Sequence, residues 1–305
     1  MNLAPIVIFV YNRLDHTRQT VEALQKNELA NESNLFIFSD APKKLETAVA
    51  VCNVRKYLKT ITGFRSVSII ERDRNLGLAN SVIDGITQLC AEHGRVIVLE
   101  DDLVVSPVFL NYMNTALERY FNAPKVMQIS GNMFPVSQPE RLPETFFCRA
   151  TTTWGWATWD RAWEKFEPNA QKLVSEIINR KMRKEFDMGG EHFQMLLNQK
   201  NGAIDSWGIR WYASVFLAGG LCLHPSKSLV RNIGHDGSGV HCASSNLYET
   251  ALSAVMPKQF PEIIEELRPG REALERFFKS IRTSIWICFK SRVKATMLRH
   301  LVNLS

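Results

Sequence analysis

The chain has 305 residues, 45% of them hydrophobic and 22% charged, with a formal net charge of +6. That is an ordinary globular composition, enough for one large domain or two small ones. No stretch of about 18 uncharged apolar residues occurs, which excludes a membrane-spanning helix. The charge is unevenly placed. From Arg276 to Ser305 there are seven Lys or Arg and no Asp or Glu, so the first 275 residues are close to neutral. A near-neutral body argues against a nucleic-acid-binding face, and the basic segment reads as a tail with its own role.

Met1 to Tyr11 is apolar but lacks a basic start and a small-residue cleavage site, so it reads as a first strand and not a signal peptide. Strands are predicted at Pro5–Tyr11, Leu35–Ser39, Val67–Ile70, Val96–Leu99 and Val126–Ser130. Between them, Val21 and Leu24, then Val51, Val54, Leu58 and Ile61, then Leu78, Val82, Ile86 and Leu89 recur at helical spacing. Strands alternating with helices predict βαβ units and a mostly parallel sheet. Right-handed crossovers would place every strand's C-terminal end on one edge.

The second half is less regular. Phe146–Ala150 is a strand candidate, and the aromatic-rich Thr153–Trp159 precedes a helix through Trp163. Charged helical patterns cover Gln171–Asp187 and Glu191–Gln199, and Ile209–Leu217 reads as a helix. Leu221–His224 and Leu229–Val230 are short strand candidates, followed by a glycine-rich polar loop over Asn232–Gly239. Six cysteines are scattered without a CxxC pair and are expected to be the reduced thiols of a cytosolic protein.

Glu100-Asp101-Asp102 directly follows the Val96–Leu99 run. Acids at a strand's end sit where open α/β sheets bind ligands. Three adjacent carboxylates repel one another, and Mg²⁺ or Mn²⁺ carrying a nucleoside diphosphate would relieve that. The plainer alternative is a solvated turn before a helix capped at Ser106-Pro107. Arg13 follows the first strand, Asp40 ends the second, and Arg72, Arg74 and Asn75 follow the third. Each alone could be a turn or capping residue. Together they put polar groups after four successive strands.

Other residues keep two readings. Asp205, beside Trp207, is either a general base or, with Ser206, the cap of the next helix; spacing favours the cap. His224, His235 and His241 could join a metal shell or contact a diphosphate, though their spacing matches no structural zinc site. The loop around them reads as a mobile lid or an ordinary surface loop. Trp154, Trp156, Trp159 and Trp163 are expected to be mostly core, with one at the cleft. Phe277, Phe278, Ile281, Ile285, Trp286 and Phe289 alternate with basic residues, as in an interfacial helix or one docked on the body or a second subunit.

These residues resemble a family. Pro5–Arg13, Glu100-Asp101-Asp102 followed by Leu103–Pro107, Gly155-Trp156, Asp205-Ser206-Trp207 and Gly239-Val240-His241 are similar in order and spacing to the GT-A glycosyltransferases, closest to N-acetylglucosaminyltransferase I and its protein O-mannose relative. The resemblance covers roughly residues 5–245 and implies a bacterial relative: an inverting transferase using a nucleotide sugar and Mn²⁺ or Mg²⁺. It implies that Asp102 binds the metal, that Glu100 and Asp101 hold the ribose, the sugar or the metal's waters, and that Asp40 reads uracil. Arg13 matches the basic residue after the first strand. Asp205 matches the catalytic base, against the cap favoured by spacing. The resemblance makes Gly234–Ser245, with His241, a loop that orders over donor. Asn75 and Asn80 are similar to an Asn-x-Gly pattern of related donor sites.

The expected architecture is therefore α/β of GT-A type, with a Rossmann-like, mostly parallel central sheet, flanking helices and C-terminal amphipathic helices. Residues 1–256 would form the transferase domain, with 1–130 binding donor and 131–256 supplying the acceptor half and lid. Residues 257–305 would be the basic helical tail. The expected partners are a nucleotide-sugar donor, a glycan or lipid-linked acceptor and an anionic membrane surface, with no nucleic acid. The expected location is cytoplasmic, peripheral at the inner membrane if the tail binds lipid. Departures from the eukaryotic members are the lack of an N-terminal anchor stretch, unmatched disulfides and a divergent acceptor half. The alternatives are a nucleotidyltransferase and a non-catalytic sugar-nucleotide-binding protein at the membrane. The first is disfavoured because Val10-Tyr11-Asn12-Arg13 contains no glycine for a phosphate loop. The second is disfavoured by the presence of both Asp102 and Asp205.

Overall fold

A computed structural model describes residues 3–237 and 247–282. Its first half runs β1 (Ile6–Val10), α1 (Leu14–Gln25), β2 (Asn34–Ser39), α2 (Ala48–Leu58), β3 (Ser66–Glu71), α3 (Leu78–His93) and β4 (Arg95–Glu100). Then come β5 (Leu103–Val105), α4 (Phe109–Arg119), β6 (Val126–Ser130), β7 (Thr145–Cys148) and β8 (Trp156–Trp159). Four helices follow the short α5 (Asp160–Trp163): α6 (Ala170–Asn179), α7 (Arg183–Asp187), α8 (His192–Lys200) and α9 (Trp207–Leu217). Strands β9 (Leu221–Pro225) and β10 (Val230–Asn232) lead to a last helix, α10, described over 268–282.

Eight strands form one sheet in the order β3-β2-β1-β4-β8-β6-β9-β7. β1 pairs in parallel with β2 and β4, and β2 with β3. β8 lies antiparallel between β4 and β6, and β7 antiparallel to β9. The expected α/β class, with a mostly parallel central sheet and flanking helices, is the class this chain adopts.

The period of two explains why the first strands read so plainly. Ile6, Ile8, Leu35, Ile37, Ile97 and Leu99 face one layer with α1 and α4. Val7, Phe9, Phe38, Val96 and Val98 face the other, with α3 and the tryptophans of α5 and α9. Burying one such side chain contributes about 1.5–3 kcal/mol, so both faces are strongly specified. A Cβ at Gly85 would meet Phe9 Cε1 at 2.7 Å, so glycine lets α3 lie against the strand.

Three elements differ from expectation. The Trp156–Trp159 segment precedes the expected helix but is itself a buried strand, paired on both edges with β4 and β6. Leu103–Val105 is a strand paired antiparallel with β10, and Ser106 donates to Ser253 O at 2.6 Å; α4 starts only at Phe109. The Gln171–Asp187 pattern splits into α6 and α7, and Lys181 takes a left-handed φ of 56° between them.

The tryptophan expectation holds. Trp156, Trp159 and Trp163 are buried, and Trp154 is half-buried. Of the two readings of the aromatic tail, the described part docks on the body: Phe277 and Ile281 are buried with Met133, Phe146 and Leu274. Ile285, Trp286 and Phe289 lie outside the described residues. Among the described residues no helix is long and apolar enough to cross a membrane. Cys52, Cys90, Cys148 and Cys222 are free thiols.

Candidate active site

Strand order reverses between β1 and β4. The chain steps from β1 outward to β2 and β3, then returns to add β4 on β1's other side. Open α/β sheets hold ligands at such a switch point. Arg13 follows β1 and the acidic triplet ends β4, so both stand there. Arg13 Nη2 donates to Asp102 Oδ2 at 2.8 Å and to Asp101 Oδ1 in a still closer contact. The side chains are 20%, 13% and 6% exposed for Arg13, Asp102 and Asp101.

Two backbone clamps hold the turn carrying the acids. Thr20, buried on α1, donates from Oγ1 to Asp101 O at 2.8 Å and accepts from Leu103 N at 3.1 Å. Ile233 N donates to Asp102 O at 2.9 Å. The second clamp extends the β5–β10 ladder, which pairs Leu103 with Asn232. It delivers Gly234 and His235 to the acids. A Cβ on Gly234 would overlap Asp102 Oδ2 and sit 2.9 Å from Cγ.

Burial dominates the electrostatics. It raises the pKa of Glu100 well above the carboxylate range; Asp102 and Asp101 add to the rise, and Arg13 and a hydrogen bond from Trp207 oppose it. Burial also raises Asp101 to about 6 against the pull of Arg13. For Arg13 burial disfavours the charge, but the two aspartates outweigh it and raise its pKa. His235 is lowered by burial and pulled back by Asp102, so the imidazole lies within electrostatic reach of that carboxylate. Its ring stacks on Tyr248 and meets Trp154 edge-on, and its Nε2 has no hydrogen-bond partner among the described residues.

Asp205 lies just before α9. The cap of that helix is Ser206, whose side chain accepts from Ile209 N at 3.3 Å. Asp205 is therefore released from capping, is 60% exposed, and pairs with Arg210 at 3.1 Å. Two residues on, Trp207 binds Glu100, so α9 ties the Asp205 turn to the triplet.

The remaining predicted residues brace the loop after β3. Asp40 Oδ1 accepts from Ala41 N and Leu76 N at 2.9 Å, and Oδ2 from Gly77 N at 2.9 Å. Asn75 donates to Ala41 O at 2.6 Å and Asn80 to Leu76 O at 3.0 Å. In this structure their polar atoms shape the start of α3 around Gly77, whose φ of 76° suits glycine. His224 is apart from the site: it is buried in β9, stacks on Phe146 and faces Ala150 O at 2.8 Å. His241, and the loop from 238 to 246, lie outside the described residues.

Sequence reasoning missed Thr20, the close approach of Gly234, the link from Trp207 to Glu100 and the placement of His235 beside Asp102. All four depend on non-local pairing. The glycine at 234, next to a short strand candidate, was the available signal.

No family model matches the chain, and no curated protein matches it by sequence. Among solved structures it is similar to the mannosyltransferase PcManGT from Pyrobaculum calidifontis, determined in complex with GDP-Man and Mn²⁺, at 13% identity and a TM-score of 0.36. The match covers 52% of this chain and 47% of that one. It is also similar to S. aureus TarS at 13% identity and a TM-score of 0.30, covering 45% of this chain and 23% of that one. Residues 1–349 of TarS give 12%, 0.36, 52% and 47% for the same quantities. The match spans less than half of each of these chains. An overlap this loose carries no weight for the chemistry, and none of the three carries the kinship with N-acetylglucosaminyltransferase I. The chemistry rests on the residues.

Proposed function

We propose that the chain is an inverting, metal-dependent glycosyltransferase of GT-A type. The observation that carries this reading is the convergence at the β1/β4 switch point. There Glu100, Asp101 and Asp102 meet Arg13, the Gly234–His235 turn and, through Trp207, the Asp205 turn.

A divalent cation fits these residues. Among the described residues no three His, Cys, Asp or Glu side chains form a ready metal cluster. Mg²⁺ and Mn²⁺ sites of nucleotide enzymes need only one or two protein ligands, because phosphate oxygens complete the shell. Asp102 offers a carboxylate, and the Nε2 of His235, unpartnered among the described residues, stands within its field. Bound there, Mn²⁺ or Mg²⁺ would supply Lewis-acid stabilisation of the departing diphosphate.

The chain's own residues supply the rest. Arg13 can meet phosphate bidentately. Asp40, Asn75 and Asn80 fix the loop where the nucleoside would rest, with Asp40 nearest the base. Glu100 and Asp101 shape the ribose and sugar side. Asp205 takes the acceptor hydroxyl proton. The acceptor oxygen then bonds the anomeric carbon from the face opposite the breaking carbon–oxygen bond, the nucleoside diphosphate leaves, and configuration inverts. The loop leading through His241 would cover the donor and exclude water.

The donor is read as a uridine diphosphate sugar, and the acceptor as a glycan or lipid-linked hydroxyl in bacterial surface polysaccharide synthesis. The basic tail is read as a peripheral attachment to anionic lipid at the inner membrane, worth about 1 kcal/mol per basic residue near the surface. Four of its seven basic residues, at 290, 292, 294 and 299, lie beyond the described helix.

The test is thermal shift with UDP, GDP, CMP and their sugars, each with and without Mn²⁺, on wild type and Asp102→Asn. A Mn²⁺-dependent stabilisation by a nucleoside diphosphate, absent from the variant, is the expected result. No shift with any nucleotide sinks the reading.

A further inference from the structure

We infer that Arg13 is an internal counter-cation that keeps the acidic site closed to divalent metal until a diphosphate draws its guanidinium away. This rests on the reading above and assigns Arg13 a role in ordering what binds. One nitrogen, Nη2, serves both Asp101 and Asp102. On Asp102 it takes Oδ2, the oxygen that Gly234 also crowds, and a Cβ on Gly234 would meet Arg13 Nη1 at 3.1 Å as well. A guanidinium and a divalent cation have the same sign and need the same carboxylate. They cannot both sit on it without strong repulsion, least of all where the side chains are mostly shielded from water.

The backbone at Arg13 is held, so only its side chain need move. Thr17 bonds Arg13 O twice, through N at 3.0 Å and Oγ1 at 2.8 Å. Arg13 stands at the β1/β4 switch point, where a diphosphate would enter. Its planar fork matches phosphate oxygens better than it matches two carboxylates from one nitrogen. The diphosphate thus does two things together: it offers Arg13 a better partner, and it brings the oxygens the metal shell lacks. Metal binding becomes conditional on nucleotide.

The experiment is a Mn²⁺ titration of the full chain followed by electron paramagnetic resonance, without nucleotide and with UDP or GDP. For wild type we expect Mn²⁺ to bind at least tenfold more tightly with a diphosphate than alone. Arg13→Gln should bind Mn²⁺ alone at least tenfold more tightly than wild type, and its further gain from diphosphate should be correspondingly smaller than wild type's. Arg13→Lys keeps a charge beside Asp101, guards against a folding defect, and should fall between the two. A merely structural Arg13 would not produce tighter metal binding on its removal. If both variants bind Mn²⁺ alone no more tightly than wild type, while wild type still gains from diphosphate, the inference is overturned and the transferase reading stands. If wild type takes up no Mn²⁺ even with diphosphate, both fall together.

Discussion

Gly234 and the carboxylate of Asp102 adjoin with no room for a side chain between them. A Cβ at 234 would overlap Oδ2 and come within 3.1 Å of Arg13 Nη1. The backbone cannot easily retreat, because Ile233 N is bonded to Asp102 O at 2.9 Å. Gly234→Ala should therefore turn the Asp102 carboxylate and cost about 1–3 kcal/mol of stability through overpacking. Mn²⁺-dependent binding of UDP should weaken by about tenfold or more, each 1.4 kcal/mol being a factor of ten. Calorimetric titration reads the affinity and denaturant melts read the stability. Unchanged affinity would place the metal away from Asp102.

Asp205→Asn separates base from cap. Ser206 already caps α9, and asparagine keeps an oxygen for Arg210. Helix and donor site should survive while proton removal is lost. The expected result is donor affinity within about twofold and turnover reduced on the order of 10²–10⁴-fold, the usual contribution of a general base. Transfer at a near wild-type rate would put the base elsewhere.

Asp40 holds three backbone N–H groups with one carboxylate. Asp40→Ala leaves them short of partners in a largely buried turn, at a cost on the order of 3 kcal/mol. Asp40→Asn keeps one accepting oxygen and should cost about half as much. Urea denaturation of the two variants checks the order. An alanine variant as stable as wild type would mean that solvent replaces the carboxylate. A nucleotide-binding defect larger in Asp40→Asn than its stability loss explains would support direct contact with the base.

How much of this was legible in the chain follows from contact range. β1 to β4 were readable because Ile6–Val10 or Val96–Leu99 declare a doubly covered strand by themselves. The triplet and Arg13 were readable because they follow such strands directly. Trp156–Trp159 was hidden: Trp-Ala-Thr-Trp says nothing of the β4 and β6 edges it bridges. Leu103–Val105 looked like the approach to a helix, since its partner β10 lies more than 120 residues on. That same pairing brings Gly234 and His235 to Asp102, so half of the site was invisible until the ladder was known. Asp205 was ambiguous for a local reason. Asp and Ser both cap helices, and only the bond from Ile209 N to Ser206 settles which one does.

His224 makes the stability of the body depend on acid. Burial holds its pKa near 4, below the ordinary 6.5. The unfolded chain then binds the proton first, so stability is lost as pH falls from about 6.5 and the loss is complete near 4. The size is on the order of 3 kcal/mol, from 1.36 kcal/mol per pKa unit. His224→Phe keeps a ring against Phe146 but leaves Ala150 O without its partner at 2.8 Å. It should be less stable at pH 7 by about 1–2 kcal/mol, with a shallower decline between pH 6.5 and 4. Guanidinium melts across that range decide it. Parallel declines in wild type and variant would show that other groups carry the acid sensitivity.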